Sequence, residues 1–358
     1  LNVRRLSWNH FRNLRAGEFE PCAGVNVIYG QNAQGKTNLL EAMWLFTGER
    51  SFRGAKDAEL VLQGETAAAL RMDFWSEGRG QTAKITVAEG RRTAELNGIP
   101  KGACSALTGK FCAVVFSPEH LSLVRGGPSL RREFVDSALC QMKPGYASLL
   151  SGYNRTLFQR NALLKDIPRH AELMDTLEIW DERLSQFGER VIRQRTAYLK
   201  ALSEPAAGFY AGISSNRETL SFVYRKSAED LRRALAEERR EDVLSGHTGA
   251  GPHRDDVDIF VSGLNARAYA SQGQKRSVVL ALKLAEAELL SRMTGEKPVV
   301  FLDDVMSELD ARRQDYLLNH LTEFQVFLSC CEPGAARQMK SGALFRMEDG
   351  ALSAVPPA

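Results

Sequence analysis

Gly30-Gln31-Asn32-Ala33-Gln34-Gly35-Lys36-Thr37 carries the most direct chemistry in this chain, and Asn38 follows it. The spacing is G-x-x-x-x-G-K-[ST], a pattern that cradles phosphate: glycines let the backbone close on the anion, and successive N–H groups at a helix N-terminus supply positive potential. A lysine at the place of Lys36 reaches the β- and γ-phosphates, and a hydroxyl at the place of Thr37 holds Mg²⁺. A second stretch, Val299-Val300-Phe301-Leu302-Asp303-Asp304, sets two carboxylates at the end of an apolar run. That arrangement is costly unless a cation or a proton transfer uses the carboxylates. Beside a phosphate loop, Asp303 is expected at Mg²⁺ and Asp304 is expected to orient or deprotonate the attacking water. A nucleoside triphosphate and Mg²⁺ are what these residues call for, and the phosphate loop alone leaves kinases, GTPases, helicases and transport ATPases open.

The elements that position these groups can be read from periodicity. Gly24 to Tyr29 is an apolar run ending at a glycine, which reads as a buried strand. From Lys36 the period changes, with Leu39, Leu40, Met43, Trp44 and Phe46 on one helical face until Gly48 stops it. Further strand patterns lie at Val3 to Phe11, Leu14 to Phe19, Ala69 to Trp75, Ala83 to Val87, Arg92 to Leu96 before the Asn97-Gly98 turn, and Phe111 to Phe116. After Ser117-Pro118 amphipathic helix dominates, over Leu130 to Met142, Tyr146 to Leu164, Ala171 to Leu202 and the charged stretch Ala228 to Val243. A strand (Val257 to Val261), a long helix (Gln272 to Met293), a strand (Pro298 to Leu302), a helix (Ala311 to Leu321), a strand (Gln325 to Ser329) and a final strand pair complete the reading.

The stretch Tyr269-Ala270-Ser271-Gln272-Gly273-Gln274-Lys275-Arg276, leading into the long helix, resembles the signature of ABC-type ATPases. Ser271 and Gly273 put a hydroxyl and bare N–H groups at a helix N-terminus, a second anion-binding site beside Gln274. The resemblance implies a head-to-tail homodimer in which Ser271 and Gly273 of one copy close over ATP held by Lys36 of the other. Ser307-Glu308-Leu309-Asp310 matches the D-loop of the same class, so Ser307 and Asp310 are expected at that dimer contact. The fold class implied is α/β: an ABC-type P-loop ATPase head, with a mixed sheet and an antiparallel β subdomain, carrying an inserted helical lobe. The head is assigned to residues 1–117 and 257–358 and the helical lobe to 118–256.

Taken together, the motifs resemble the RecF family of bacterial DNA replication and repair ATPases. They are Phe11-Arg12-Asn13, the phosphate loop with Asn38, Phe116-Ser117-Pro118-Glu119-His120-Leu121, Arg131-Arg132-Glu133-Phe134-Val135-Asp136, Gly251-Pro252-His253-Arg254-Asp255-Asp256, the signature stretch, and Leu302 through Asp310. The resemblance implies ATP-dependent clamping of double-stranded DNA near gap junctions, release on hydrolysis, partnership with RecR and RecO, and support for RecA loading. It also implies that Arg12 lies near the nucleotide. Arg131 and Arg132 are expected on a solvated helix face, and His253 to Asp256 either in a tight ion-paired turn or in a turn between two lobes that relays nucleotide state. Most ABC ATPases have Glu where this chain has Asp304, which points to slow hydrolysis, and the resemblance implies an ATPase that DNA stimulates. The usual switch histidine is replaced by Ser329-Cys330-Cys331, and Glu119 stands where a Q-loop glutamine would be sought.

Composition narrows the setting. The 358 residues are 44% hydrophobic and 25% charged, which excludes collagen-like, mostly disordered and membrane-spanning classes. The first thirty residues carry Arg4, Arg5, Arg12, Arg15, Glu18 and Glu20 and have no signal-peptide core, so a cytoplasmic, nucleoid-associated protein with no membrane partner is expected. Leu1 in place of Met points to an alternative start codon or trimming. Six scattered cysteines read as reduced thiols. The 234 positions from Thr37 to Ser271 leave no room for long coiled-coil arms, and sustained heptads are missing. Net charge is only +3, yet residues 121–200 hold 13 Lys or Arg against 9 acidic residues, a surface for backbone and shape recognition of duplex. The competing readings are an SMC-like ABC ATPase of a defence system and a transporter nucleotide-binding subunit.

Overall fold

The computed structural model describes residues 1–332 and 342–356. Contacts divide the chain into two units. One gathers Leu1–Leu121, Gly212–Ser215 and the residues from Arg276 on, and the other Ser122–Ala211 and Asn216–Lys275.

The first unit holds two sheets. One is antiparallel, in the order Gly17–Phe19, Asn2–Asn9, Ala67–Ser76, Arg79–Ala88, Arg91–Leu96, Ile99–Ala103. Burial alternates along Ala67–Ser76, as a sheet with one face on a core requires. The other runs Ala351–Val355, Gly342–Glu348, Val25–Tyr29, Val326–Cys330, Val299–Asp303, Ala113–Phe116, and all its pairings are parallel except the final hairpin. Its central strands are buried along their whole length, which is why they read as continuous apolar runs. This mixed sheet with an antiparallel partner is the head architecture expected. The helix Lys36–Trp44 buries Leu39, Leu40, Met43 and Trp44 in a core shared with both sheets. Phe19 of the antiparallel sheet meets Phe345 and Phe327 of the parallel one edge-on, at 5.3 and 6.2 Å between centroids. Gln325, buried, donates from Nε2 to the Val3 and Cys22 carbonyls at 2.9 Å each and accepts the Val3 N–H at 2.7 Å, tying the first strand to the parallel sheet.

The second unit is built on the helices Pro128–Met142, Tyr146–Asp166, Leu231–Glu237 and Arg239–Ser245 and most of the 41-residue helix Met174–Ser214. The long helix runs past Leu202, where the sequence reading stopped it, because Leu202, Ala206, Tyr210 and Ile213 continue its buried stripe across Pro205. Packing here outweighs the one backbone bond a proline removes. A three-stranded antiparallel sheet orders Leu264–Asn265, Asp256–Val261 and Leu220–Arg225. The strand at 256–261 therefore pairs within the second unit, and the division falls between Lys275 and Arg276, inside the helix Gln272–Thr294, rather than at residue 257. The strand Leu220–Arg225, whose alternating burial is short and lies between two helical stretches, adds an element that the sequence reading does not contain.

Several charges in this unit are internal. Arg131 is buried rather than solvated, forking onto Asp256 at 2.7 and 2.9 Å and donating to the Leu123 and Gly126 carbonyls. Arg195 forks onto Asp136 at 2.8 Å twice, and Arg160, fully buried, binds Asp181 and Asp242. Three of the basic residues counted toward a DNA-facing surface are thus committed to the interior. In the turn at His253 to Asp256 the ion pair is Arg131 on Asp256, while Arg132 donates to the Asp255 carbonyl at 2.8 Å, Arg254 to the Thr248 carbonyl, and the Asp255 carboxylate accepts Tyr224 Oη and the Ser227 N–H. No helix among the described residues is long and apolar enough to cross a membrane.

Candidate nucleotide-binding site

The parallel sheet places the two chemical stretches at adjacent strand ends. Val25–Tyr29 leads into the phosphate loop, and Gly30 N–H continues the ladder onto the Cys330 carbonyl at 3.2 Å. Ala33 and Gly35 both take positive φ, 65° and 112°, so the loop curls back before the helix starts. A Cβ on Gly35 would stand 2.7 Å from Leu14 Cδ2, so glycine is required there. No side chain caps the helix Lys36–Trp44, which leaves its first N–H groups to an anion.

Lys36 is buried, and its ammonium donates to the Gly30 and Gln31 carbonyls at 2.5 and 2.8 Å. Gln31, Asn32 and Ala33 form the exposed crest of the loop. Gln34 anchors it to the final hairpin, accepting the Asp349 N–H on Oε1 at 2.5 Å and the Gly350 N–H on its carbonyl at 3.2 Å. A cleft of about 470 Å³ beside the crest is lined by Gly30, Gln31, Gln34, Cys331, Arg346 and Asp349.

Thr37 and Asp303 meet directly: Thr37 Oγ1 donates to Asp303 Oδ1 at 2.8 Å. Ser329 Oγ donates to the same oxygen at 2.7 Å and accepts the Asp304 N–H at 3.0 Å. Burial raises the pKa of Asp303, opposed by the bonds from Ser329 and Thr37; Glu119 adds to the rise and Arg53 opposes it. Asp304 is only half-buried and sits at φ 53°, an uncommon conformation for a residue with a side chain. Ser307 Oγ holds it from the far side, donating to its carbonyl at 2.8 Å and lying 3.3 Å from its Oδ1. Asp310 caps the helix Ala311–His320, accepting the Arg313 N–H at 3.0 Å, and this bond with the Arg313 charge lowers its pKa.

Arg12 pairs with the loop helix. Its Nε and Nη2 both donate to the buried Glu41 of the loop helix at 2.9 Å, and Ser51 Oγ donates to that carboxylate as well. Its neighbour Asn13 reaches the loop instead, donating to the Ala33 carbonyl at 3.0 Å. Asn38 donates to Asn13 Oδ1 at 2.7 Å, and Arg53 donates to Asn38 Oδ1 at 2.9 Å. Arg53 escaped the sequence reading; its one signal is a cation in the Ser51-Phe52-Arg53-Gly54 turn just after the loop helix.

Ser271, Gly273 and Gln274 belong to the second unit. Ser271 and Gln274 form a reciprocal cap: Ser271 Oγ accepts the Gln274 N–H at 3.2 Å, and Gln274 Oε1 accepts the Ser271 N–H at 2.7 Å. Gln274 Nε2 also donates to Glu218 at 2.7 Å. Gly273 lies in the first turn of that helix.

Residues 2–353 match the family described as the RecF/RecN/SMC N terminal domain. The DNA replication and repair protein RecF of Caldanaerobacter subterraneus subsp. tengcongensis is 40% identical over 365 residues, covering 97% of this chain and 98% of that one. A solved structure of the recombination mediator protein RecF with ATP in the RecFOR pathway superposes with a TM-score of 0.93 at 37% identity, over 99% of this chain and 97% of the other. An Smc head bound to the C-terminal winged-helix domain of ScpA shares the fold alone, with a TM-score of 0.59 at 15% identity. With the family model matching nearly the whole chain and a relative 40% identical over 97% of it, the chain belongs to the RecF family.

Proposed function

We propose that this chain is an ATP-binding DNA replication and repair protein that hydrolyses ATP to control its grip on duplex DNA. The observation that carries the reading is the 2.8 Å bond between Thr37 and Asp303, which brings the phosphate loop and the acidic strand end to one point. Two hard oxygen donors side by side, one at a helix N-terminus, suit Mg²⁺ accompanying a nucleotide. The ion when bound neutralises phosphate charge. Lys36 contributes a buried positive charge, the N–H groups around Gly35 and Thr37 line the phosphates, and Asn38 borders them. Asp304, more open than Asp303, orients the attacking water and takes its proton. Its shorter side chain makes turnover slow, and DNA stimulates it.

Ser271, Gly273 and Gln274 act on the nucleotide of a second copy, with Ser307 and Asp310 at the same head-to-tail contact. ATP thereby joins two heads, the helical lobes hold double-stranded DNA near gap junctions through its backbone, and hydrolysis releases it. The exposed part of the basic set, including Arg155, Arg183, Arg190, Arg193 and Lys200, supplies the phosphate contacts. The setting is the cytoplasm at the nucleoid, with RecR and RecO as partners in placing RecA. The relatives' descriptions, a DNA replication and repair protein and a recombination mediator in the RecFOR pathway, support the repair part of this reading.

Sedimentation velocity with and without ATP tests the reading. Wild type is expected to shift to dimer with ATP, while Ser271→Arg stays monomeric and binds ATP normally. DNA affinity is expected to require ATP, to be weakened by Lys36→Arg and to fall steeply with salt. A dimer fraction indifferent to ATP, or Ser271→Arg dimerising like wild type, refutes the clamp.

A further inference from the structure

We propose that Ser329 is a positioning residue for the acidic strand end, its one hydroxyl setting where Asp304 points. The functional half of this inference rests on the ATPase reading above; the structural half stands without it. The strands Val299–Asp303 and Val326–Cys330 run parallel, and Asp303 opposite Ser329 is their last paired position. The ladder stops there because Asp304 turns to φ 53°, a conformation that costs about 1 kcal/mol or more when a Cβ is present. Its N–H then needs another acceptor, and Ser329 Oγ supplies one at 3.0 Å.

The same hydroxyl spends its proton on Asp303 Oδ1 at 2.7 Å. A hydroxyl has one proton to donate and lone pairs to accept with, so both bonds coexist. Ser329 is 1% exposed, so water does not replace either bond freely. Ser307 fixes the opposite end of the residue through its carbonyl at 2.8 Å. Asp304 is thus gripped at N–H and C=O by two serines while its carboxylate remains accessible. The other two residues at that strand end face elsewhere. Cys330 is the final strand residue with its carbonyl on Gly30, and Cys331 Sγ lies 3.1 Å from Asn32 Oδ1.

The test uses the full-length chain with Ser329→Ala, Ser329→Cys and Ser329→Thr. The readouts are steady-state ATP hydrolysis and hydrogen–deuterium exchange of the Asp304 amide in nucleotide-free protein. Cysteine keeps the volume but bonds weakly, and threonine keeps the hydroxyl. Alanine and cysteine are expected to lower kcat by about 10–100-fold with KM for ATP changed less than about threefold. Both are expected to speed Asp304 exchange by at least about tenfold, with threonine close to wild type on both readouts. Asp304 exchange that is unchanged in the alanine and cysteine variants overturns the proposal, and so does a cysteine variant with wild-type kcat. Absence of hydrolysis in wild type itself sinks the ATPase reading, and the exchange data then decide the role of Ser329 alone.

Discussion

Replacing Arg160 with methionine probes how the second unit is held together. Arg160 is fully buried between the helices Tyr146–Asp166, Met174–Ser214 and Arg239–Ser245. Its Nε meets Asp181 at 2.7 Å, and its Nη1 meets Asp242 at 2.6 Å and Thr248 Oγ1 at 2.8 Å. After the substitution Asp181 keeps Arg239 at 2.6 Å, whereas Asp242 keeps only the Gly249 N–H at 2.8 Å. A buried carboxylate stripped of its cation costs about 3–5 kcal/mol, and methionine recovers little of that through packing. At about 2–4 °C per kcal/mol the melting transition of this unit is expected to fall by about 10 °C. Urea unfolding of Arg160→Met, of Asp242→Asn and of the double variant measures the terms. The double variant is expected to regain about half the loss. A loss under about 1 kcal/mol, or one that Asp242→Asn does not relieve, refutes the charge argument and leaves only packing.

Gln325→Leu removes three side-chain bonds to Val3 and Cys22 in a buried seam, and is expected to destabilise the first unit by about 3 kcal/mol in urea unfolding. A change under about 1 kcal/mol would mean that water satisfies that seam. His253, whose Nδ1 accepts from Tyr153 and whose Nε2 donates to the Thr248 carbonyl, has its pKa pushed down by burial from 6.5 to about 4. The unfolded chain binds that proton first, so its stabilising effect is complete above pH 6.5 and is lost as pH falls toward 4. Between pH 7 and 5 this amounts to about 2 kcal/mol, and urea unfolding of His253→Gln is expected to lack that slope. A slope identical to wild type assigns the acid sensitivity to other groups.

Much of the site was legible because its chemistry is local. The loop from Gly30 to Thr37, the strand end at Asp303 and Asp304 and the cap at Asp310 each depend on residues within one turn or strand. Periods of two and near four residues likewise marked the strands and helices around them. Arg12 was less legible: the resemblance implied a place near the nucleotide, and only the structure shows its guanidinium on Glu41 of the adjacent helix. Arg131 was read as a surface charge for a related reason: its partner Asp256 lies 125 residues along the chain.

The amino-acid sequence by itself determined the class of fold, the phosphate loop, the acidic strand end and the signature cap, because backbone sterics, hydrophobic period and capping chemistry act over a few residues. Tertiary structure alone decided what those residues touch. It joined Thr37 to Asp303, set Ser329 beneath Asp304, drew Asn13, Asn38 and Arg53 into one chain around the loop, and moved the unit boundary into the helix Gln272–Thr294. Such pairings depend on strand order and register, which place residues hundreds of positions apart within hydrogen-bond reach. A charge count along the chain is blind to that step, which is why three arginines counted toward DNA turned out to hold the helical unit together.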